Sequence, residues 1–233
     1  MNQRPTHYDR PAAREVRGEI LRSRNTFWKP ADLKLPPSTA QRLLAELVAN
    51  EDLRHIRKGL YWRGIKTPLG MASPSPAMLA ARFAGGRGIG PSGLSAANAL
   101  RLSTQIPRRA EYAVVDRPPA NSDVVRFVAR SSRRGRAVHD LGPLDIAALE
   151  VLDGWDRLIE AGPNEAMTHL TRLIQSGTLN ANRLARAGGT EPGSSRARLR
   201  YLLRSAGRQD LADEVPPPDS RTESKALTDL TVA

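Results

Sequence analysis

The chain lacks cysteine altogether. That excludes disulfides, thiol nucleophiles and thiolate metal sites, and it fits a cytoplasmic protein in a reducing compartment. Aromatic residues are scarce, at 4% of 233 residues. The core must therefore be built mainly of Leu, Ala, Val and Ile, which the apolar fraction of 39% can supply. No apolar run approaches the ~20 residues needed to span a bilayer. The N-terminal MNQRPTHYDRPAAREVRG carries no apolar signal region, so neither export nor a membrane partner is expected. The four histidines, His7, His55, His139 and His169, have no metal-ligand spacing. No nucleophile motif accompanies the His139-Asp140 pair. Neither an enzyme, a metal nor a cofactor is expected.

Acidic residues are also short. Lys and Arg number 36 against 24 Asp and Glu, a formal net charge of +12. A surplus of this size favours nucleic acid or an acidic partner, although arginine-rich composition also arises without any such role. The surplus is concentrated at the front. Residues 1–66 hold 14 basic and 7 acidic residues, residues 67–233 hold 22 and 17.

After a loose polar start over residues 1–12, residues 13–24 place Val16, Ile20 and Leu21 on one helical face. Asn25 ends this helix, and Phe27 and Trp28 read as core plugs. KPADLKL (29–35) reads as a short helix with Pro30 in its first turn. Two prolines then mark a turn. Ser38 with Gln41 three residues on makes a capping box for a helix 39–50. Its inward residues are Ala40, Leu43, Leu44, Leu47 and Val48. LRHIRKGLYWRGI reads as two strands around Lys58-Gly59, because glycine supplies the positive φ of a tight hairpin. Helix, helix, turn, helix, hairpin is the order of a winged helix-turn-helix, assigned to residues 13–66.

Residues 67–75 read as a linker, residues 76–212 as a mixed α/β second domain, and residues 213–233 as a disordered, proline-led tail. The fold class expected is therefore α+β. In the second domain, helices are expected over 76–85, 95–103 (opened by Ser95), 164–177, 180–189 and 194–207. Strands are expected over 111–116 and 123–131, with 137–159 running from a strand into helix. GIGPSG (88–93) matches G-x-G-x-x-G, but it follows a helical segment and Pro91 removes a needed N–H. It reads as a tight turn instead.

In a helix-turn-helix the start of the third helix faces base edges. Here Ser38, Thr39, Gln41 and Arg42 carry the right chemistry, since Arg pairs with guanine and Gln with adenine. Lys34, Arg54, Arg57, Lys58 and Arg63 are placed for phosphates, which position the protein without reading sequence. The plainer alternative leaves Ser38 and Gln41 as caps and Arg42 as a solvated charge. Arg126, Arg130, Arg133, Arg134 and Arg136 offer a second basic patch at a loop tip, or merely a solvated loop. The acids Asp145, Glu150, Asp153, Asp156 and Glu160 read as a wet helix face. Arg196, Arg198, Arg200 and Arg204 read as the outer face of the last helix.

The capped third helix, the LRHIRKGLYWRG segment and GPSGLSAANALRLSTQIPRRAEYAVVD together resemble the AbiEi family of antitoxins, from bacterial abortive-infection, type IV toxin–antitoxin systems. RLARAGGTEPGSSRARLRYLLRSAG is similar to the end of that family's second domain. The resemblance covers roughly residues 13–207. It implies a winged helix that binds inverted repeats in its own promoter as a repressor, and a C-terminal domain that counters a nucleotidyltransferase-fold toxin, directly or through its target. It carries the DNA role onto Ser38, Thr39, Gln41 and Arg42 and onto Arg57, Lys58 and Arg63. Inverted repeats imply two copies on DNA, with a monomer expected in solution. One departure is Arg101, which stands in ALRLS where glycine is expected. Two other readings remain: a winged-helix regulator whose C-terminal domain senses a ligand or partner, and an RNA-binding protein using residues 126–136.

Overall fold

A computed structural model describes residues 9–68 and 70–230. The start over residues 1–8, His7 included, and the last three residues of the expected tail lie outside the described residues. The chain divides into two units, one ending at Ser75 and one beginning at Pro76. Helices and sheets occur in both. No helix among the described residues is long and apolar enough to cross a membrane.

The first unit opens with α1 (Asp9–Arg22), so the helix begins four residues before the expected start and takes in part of the supposed loose segment. β1 (Thr26–Trp28) follows, then a 3₁₀ turn (Pro30–Leu33), α2 (Pro37–Ala49), β2 (Arg54–Arg57) and β3 (Leu60–Arg63). Phe27 and Trp28 are thus strand residues, and Trp28 plugs the core as expected while Phe27 packs on Trp62. β1 pairs antiparallel with β3, and β2 with β3, in the order β1-β3-β2. Ile20, Trp28, Leu33, Ala40, Leu43, Leu44, Leu47 and Leu53 form the core, with Val16, Leu21 and Val48 against it. This is the stripe that helical spacing assigns.

Ser38 does not cap α2. Pro36 and Pro37 start the helix two residues earlier, no side chain caps it, and Ser38 falls inside the first turn. A proline at the first helical position has no N–H to satisfy, which makes this entry cheap.

Trp62 anchors the hairpin. It is 1% exposed, packs against Phe27 at 4.6 Å between ring centroids, and donates its indole N–H to the Ala72 carbonyl at 2.9 Å. Residue 64 must be glycine here, because a Cβ would lie 2.3 Å from that carbonyl. β4 (Lys66–Thr67) and β5 (Gly70–Met71) then pair antiparallel across the supposed linker.

The second unit begins with α3 (Pro76–Ala84), β6 (Gly90–Pro91) and α4 (Gly93–Ala99). Gly90 and Pro91 pair with Ala113 and Tyr112, so GIGPSG contributes an edge strand instead of a turn alone. Pro91 is tolerated there as an edge residue. α4 starts at Gly93, and Ser95 lies within it, its hydroxyl accepting from the Glu111 N–H. Arg101 explains the missing glycine: it adopts φ 58° just past α4. The Leu102 N–H then closes the helix on the Ala97 carbonyl at 2.8 Å.

β7 (Ala110–Val114) and β8 (Val125–Ala129) are parallel neighbours, and the sheet order is β6-β7-β8. α5 (Gly135–Val138), α6 (Pro143–Asp153) and α7 (Trp155–Leu158) follow, so no strand opens the 137–159 stretch. The remaining helices are α8 (Pro163–Gln175), α9 (Ala181–Ala187), α10 (Gly193–Ser205), α11 (Gln209–Glu214) and α12 (Ser220–Leu227).

α6 is the centre of this unit. Every residue from Asp145 to Leu152 is buried. The expected wet acidic face is therefore wrong at Asp145 and Glu150. The expected disorder also fails over the described residues 213–230. Asp219 caps α12, Val215, Ala226 and Leu230 are buried, and Arg198 donates to the Ala226 carbonyl at 3.2 Å. A polar, proline-led composition hid a segment that closes the core with few apolar residues.

Candidate nucleic-acid interface

The outward face of α2 carries Ser38, Gln41 and Arg42, all exposed, with Thr39 half-buried at its edge. Ser38, Gln41 and Arg42 make no side-chain hydrogen bond or ion pair to another described residue. No acid stands in the first turn. Glu46, the one acid of α2, is taken by Arg17 from α1 at 2.5 Å. That pairing offsets the one negative charge of α2.

The approach to α2 is a tight turn. Lys34, exposed, adopts φ 48° and ends the 3₁₀ segment, and Leu35 and Pro36 complete the turn. At the far end the chain folds straight back. The N–H groups of Asp52 and Leu53 both donate to the Leu47 carbonyl, at 2.8 and 3.0 Å, and Leu53 is buried. These bonds fix where β2 begins relative to α2.

Across the β2–β3 hairpin, Arg54, Arg57 and Lys58 are exposed, and Gly59 adopts the expected positive φ of 71°. Arg54 donates to the Ser73 hydroxyl. His55 stands beside Tyr61, with 5.4 Å between ring centroids. The alternation of β3 buries Leu60 and Trp62. Arg63 is a correction. Its guanidinium donates to the carbonyls of Asp52 at 3.2 Å and Leu21 at 3.3 Å. It buttresses the hairpin from within and does not face a phosphate. The exposed candidates that remain are Lys34, Ser38, Gln41, Arg42, Arg54, Arg57 and Lys58.

The second basic patch is mostly not a surface. Arg136 is fully buried, Arg133 is 8% exposed, and Arg130 is half-buried. Glu150 on α6 accepts five hydrogen bonds: two from Arg130 at 2.9 and 2.8 Å, one from Arg133 at 3.0 Å, one from Arg136 at 2.6 Å and one from Ser92 at 2.7 Å. Arg136 also grips Glu191 bidentately at 2.7 and 2.8 Å, and Arg133 reaches Asp153 at 2.7 Å. Three arginines meet three carboxylates, so the cluster is charge-balanced. Burial works against the Glu150 charge, but the hydrogen bonds from Arg130 and Ser92 and the charge of Arg136 outweigh it and hold the carboxyl at about 2. Burial likewise opposes the charge of Arg136, and Glu191 and Glu150 outweigh it, so its pKa is raised. Only Arg126, paired with Glu111 at 3.1 Å, and Arg134 stay exposed.

α10, expected as the last helix but followed by α11 and α12, repeats the pattern. Arg198 is buried and donates to the Leu152 carbonyl at 2.9 Å, and Arg200 reaches the Ala212 and Val215 carbonyls at 2.8 and 2.6 Å. Neither faces solvent as expected, whereas Arg204 is exposed. The absence of any acid between Arg126 and His139, with several acids following over 145–160, was the one sequence signal of this network. Glu191, distant in sequence, gave none. Among the described residues no group of His, Asp and Glu could hold a metal ion.

No protein-family model matches the chain, and no curated protein matches it. One solved structure that it resembles is the RV2827C protein from Mycobacterium tuberculosis, with 20% identity and a TM-score of 0.48. The match covers 88% of this chain and 80% of that one.

Proposed function

We propose that the first unit is a winged helix-turn-helix that reads duplex DNA, with α2 as recognition helix and the β2–β3 hairpin as wing. The observation that carries this reading is the three-stranded order β1-β3-β2 behind a short turn-helix pair whose outer face holds unpartnered Ser38, Gln41 and Arg42. Base-reading groups stand at the start of the helix, as major-groove insertion requires, and Lys34 and Lys58 flank them as phosphate contacts. The net charge of residues 1–66 supports association with a polyanion.

The resemblance to AbiEi antitoxins extends the proposal. The chain represses its own operon through inverted repeats, two copies to a site, and counters a nucleotidyltransferase-fold toxin encoded beside it. The RNA-binding alternative loses its footing, because the arginines of 126–136 that were to carry it are mostly spent on Glu150, Glu191 and Asp153.

The test is a reporter fused to the chain's own upstream region, combined with co-expression of the neighbouring reading frame. Repression by wild type that disappears in Gln41→Ala/Arg42→Ala supports the DNA role. Relief of growth arrest by the second unit alone or by the double variant supports the antitoxin role separately. An unrepressed reporter sinks the first claim, and growth arrest unrelieved by wild type sinks the second.

A further inference from the structure

Arg134 is the member of the supposed basic patch left with neither an ion pair nor a side-chain hydrogen bond among the described residues. Its setting gives it a use. It lines a cleft of 630 Å³ at the carboxyl ends of the parallel strands β7 and β8. Val115, Asp116, Arg117 and Pro118 line the same cleft from the chain leaving β7. Val138 of α5 completes it, 71% exposed and among the most exposed large apolar side chains of the described residues.

We infer that this cleft binds a small organic monoanion, a carboxylate or phosphodiester with a compact apolar body. Four features carry the inference. The volume lies within the roughly 300–1,000 Å³ of small-molecule sites. Arg117 and Arg134 are both exposed and unpaired, in a unit where Arg130, Arg133, Arg136 and Arg198 all find partners. Two free guanidiniums lining one cleft offer charge-assisted donors to a carboxylate or phosphodiester. The lining holds one acid, Asp116, so its net charge is one positive unit and an anion of one charge balances it. Val115, Pro118 and Val138 then supply the apolar wall. A ligand body covering Val138 removes apolar surface from water, which favours binding over a bare anion.

This site is independent of DNA reading by α2. It is tested on the full chain by ¹H–¹⁵N NMR titration with benzoate and, separately, methyl phenyl phosphate, a phosphodiester of one charge. Acetate tests the anion without a body, and benzamide the body without charge. The expected result is a saturable shift confined to amides of residues 115–117 and 129–138, at least about tenfold tighter for one of the aromatic anions than for acetate or benzamide. Which of the two aromatic anions wins distinguishes carboxylate from phosphodiester. Arg117→Gln/Arg134→Gln should weaken binding about tenfold or more, since charge-assisted hydrogen bonds are lost. Val138→Glu should abolish it by offering the two guanidiniums an internal carboxylate. All three positions are exposed, so these variants should leave the rest of the spectrum unchanged. The inference is overturned if no saturable shift maps to the cleft, if acetate binds as well as the aromatic anions, or if binding survives the double variant.

Discussion

Replacing Glu150 with Gln should destabilise the second unit by about 3 kcal/mol while leaving the first unit unchanged. The side chain keeps its volume but loses the charge that holds Arg130, Arg133 and Arg136 in the interior. Breaking a buried ion pair from one side leaves the partner charges uncompensated, which costs about 3–5 kcal/mol. The proton linkage gives a second route to the magnitude. A carboxyl lowered from 4.5 to about 2, at about 1.36 kcal/mol per unit, contributes about 3 kcal/mol. Because the folded value is the depressed one, this contribution is intact above pH 4.5 and is lost as the pH falls toward 2. Urea unfolding followed by NMR resolves the two units separately through amides of α6 and α2. Wild type should lose stability in the second unit between pH 4.5 and 2, and the Gln variant should show a flatter profile over that window. A Gln variant within about 1 kcal/mol of wild type at pH 7, or parallel acid profiles for the two proteins, would refute the claim that the network holds the unit together.

Three further outcomes follow from particular contacts. Arg63→Ala should lower the stability of the first unit by about 1–2 kcal/mol in urea titration, since two carbonyls lose their donor, and its DNA affinity below the transition should match wild type. Lys58→Ala should weaken binding to every duplex alike and reduce the slope of log K against log salt by about one, with unaltered slope counting against the wing as a phosphate contact. Ending the chain at Pro218 should lower the melting temperature of the second unit, because α12 and Leu230 cover buried surface and Arg198 loses its Ala226 partner. An unshifted melt would restore the tail to the status of an appendage.

The first unit was legible because its signals are local. Helical spacing set Ile20, Leu43, Leu44 and Leu47 inward, and Lys58-Gly59 with β-prone flanks set the hairpin. β1 was less visible, since three residues of TFW give no alternation to read. Ser38 misled because a polar residue before a helix is the usual cap, yet two prolines open this helix first. Arginine misled most. Arg63, Arg133, Arg136, Arg198 and Arg200 are all charges that sequence reasoning sends to water, and all find acceptors supplied by distant segments. Those partners come from the tertiary fold, so neither composition nor spacing reveals them. α6, buried over Asp145–Leu152, draws Arg133 and Arg136 inward, because its Glu150 needs donors there.

The most direct measurement of the central claim is binding of wild type and Gln41→Ala/Arg42→Ala to about 100 base pairs of the chain's own upstream DNA, against scrambled DNA of equal length, at two salt concentrations. Each lost base contact should remove about 1–3 kcal/mol of discrimination. The account predicts that wild type prefers its own DNA at both salts, and that the variant binds both duplexes with equal, salt-sensitive affinity. Equal binding of wild type to the two duplexes would contradict it, leaving the positive charge of the first unit as a non-specific footprint and α2 without a reading role.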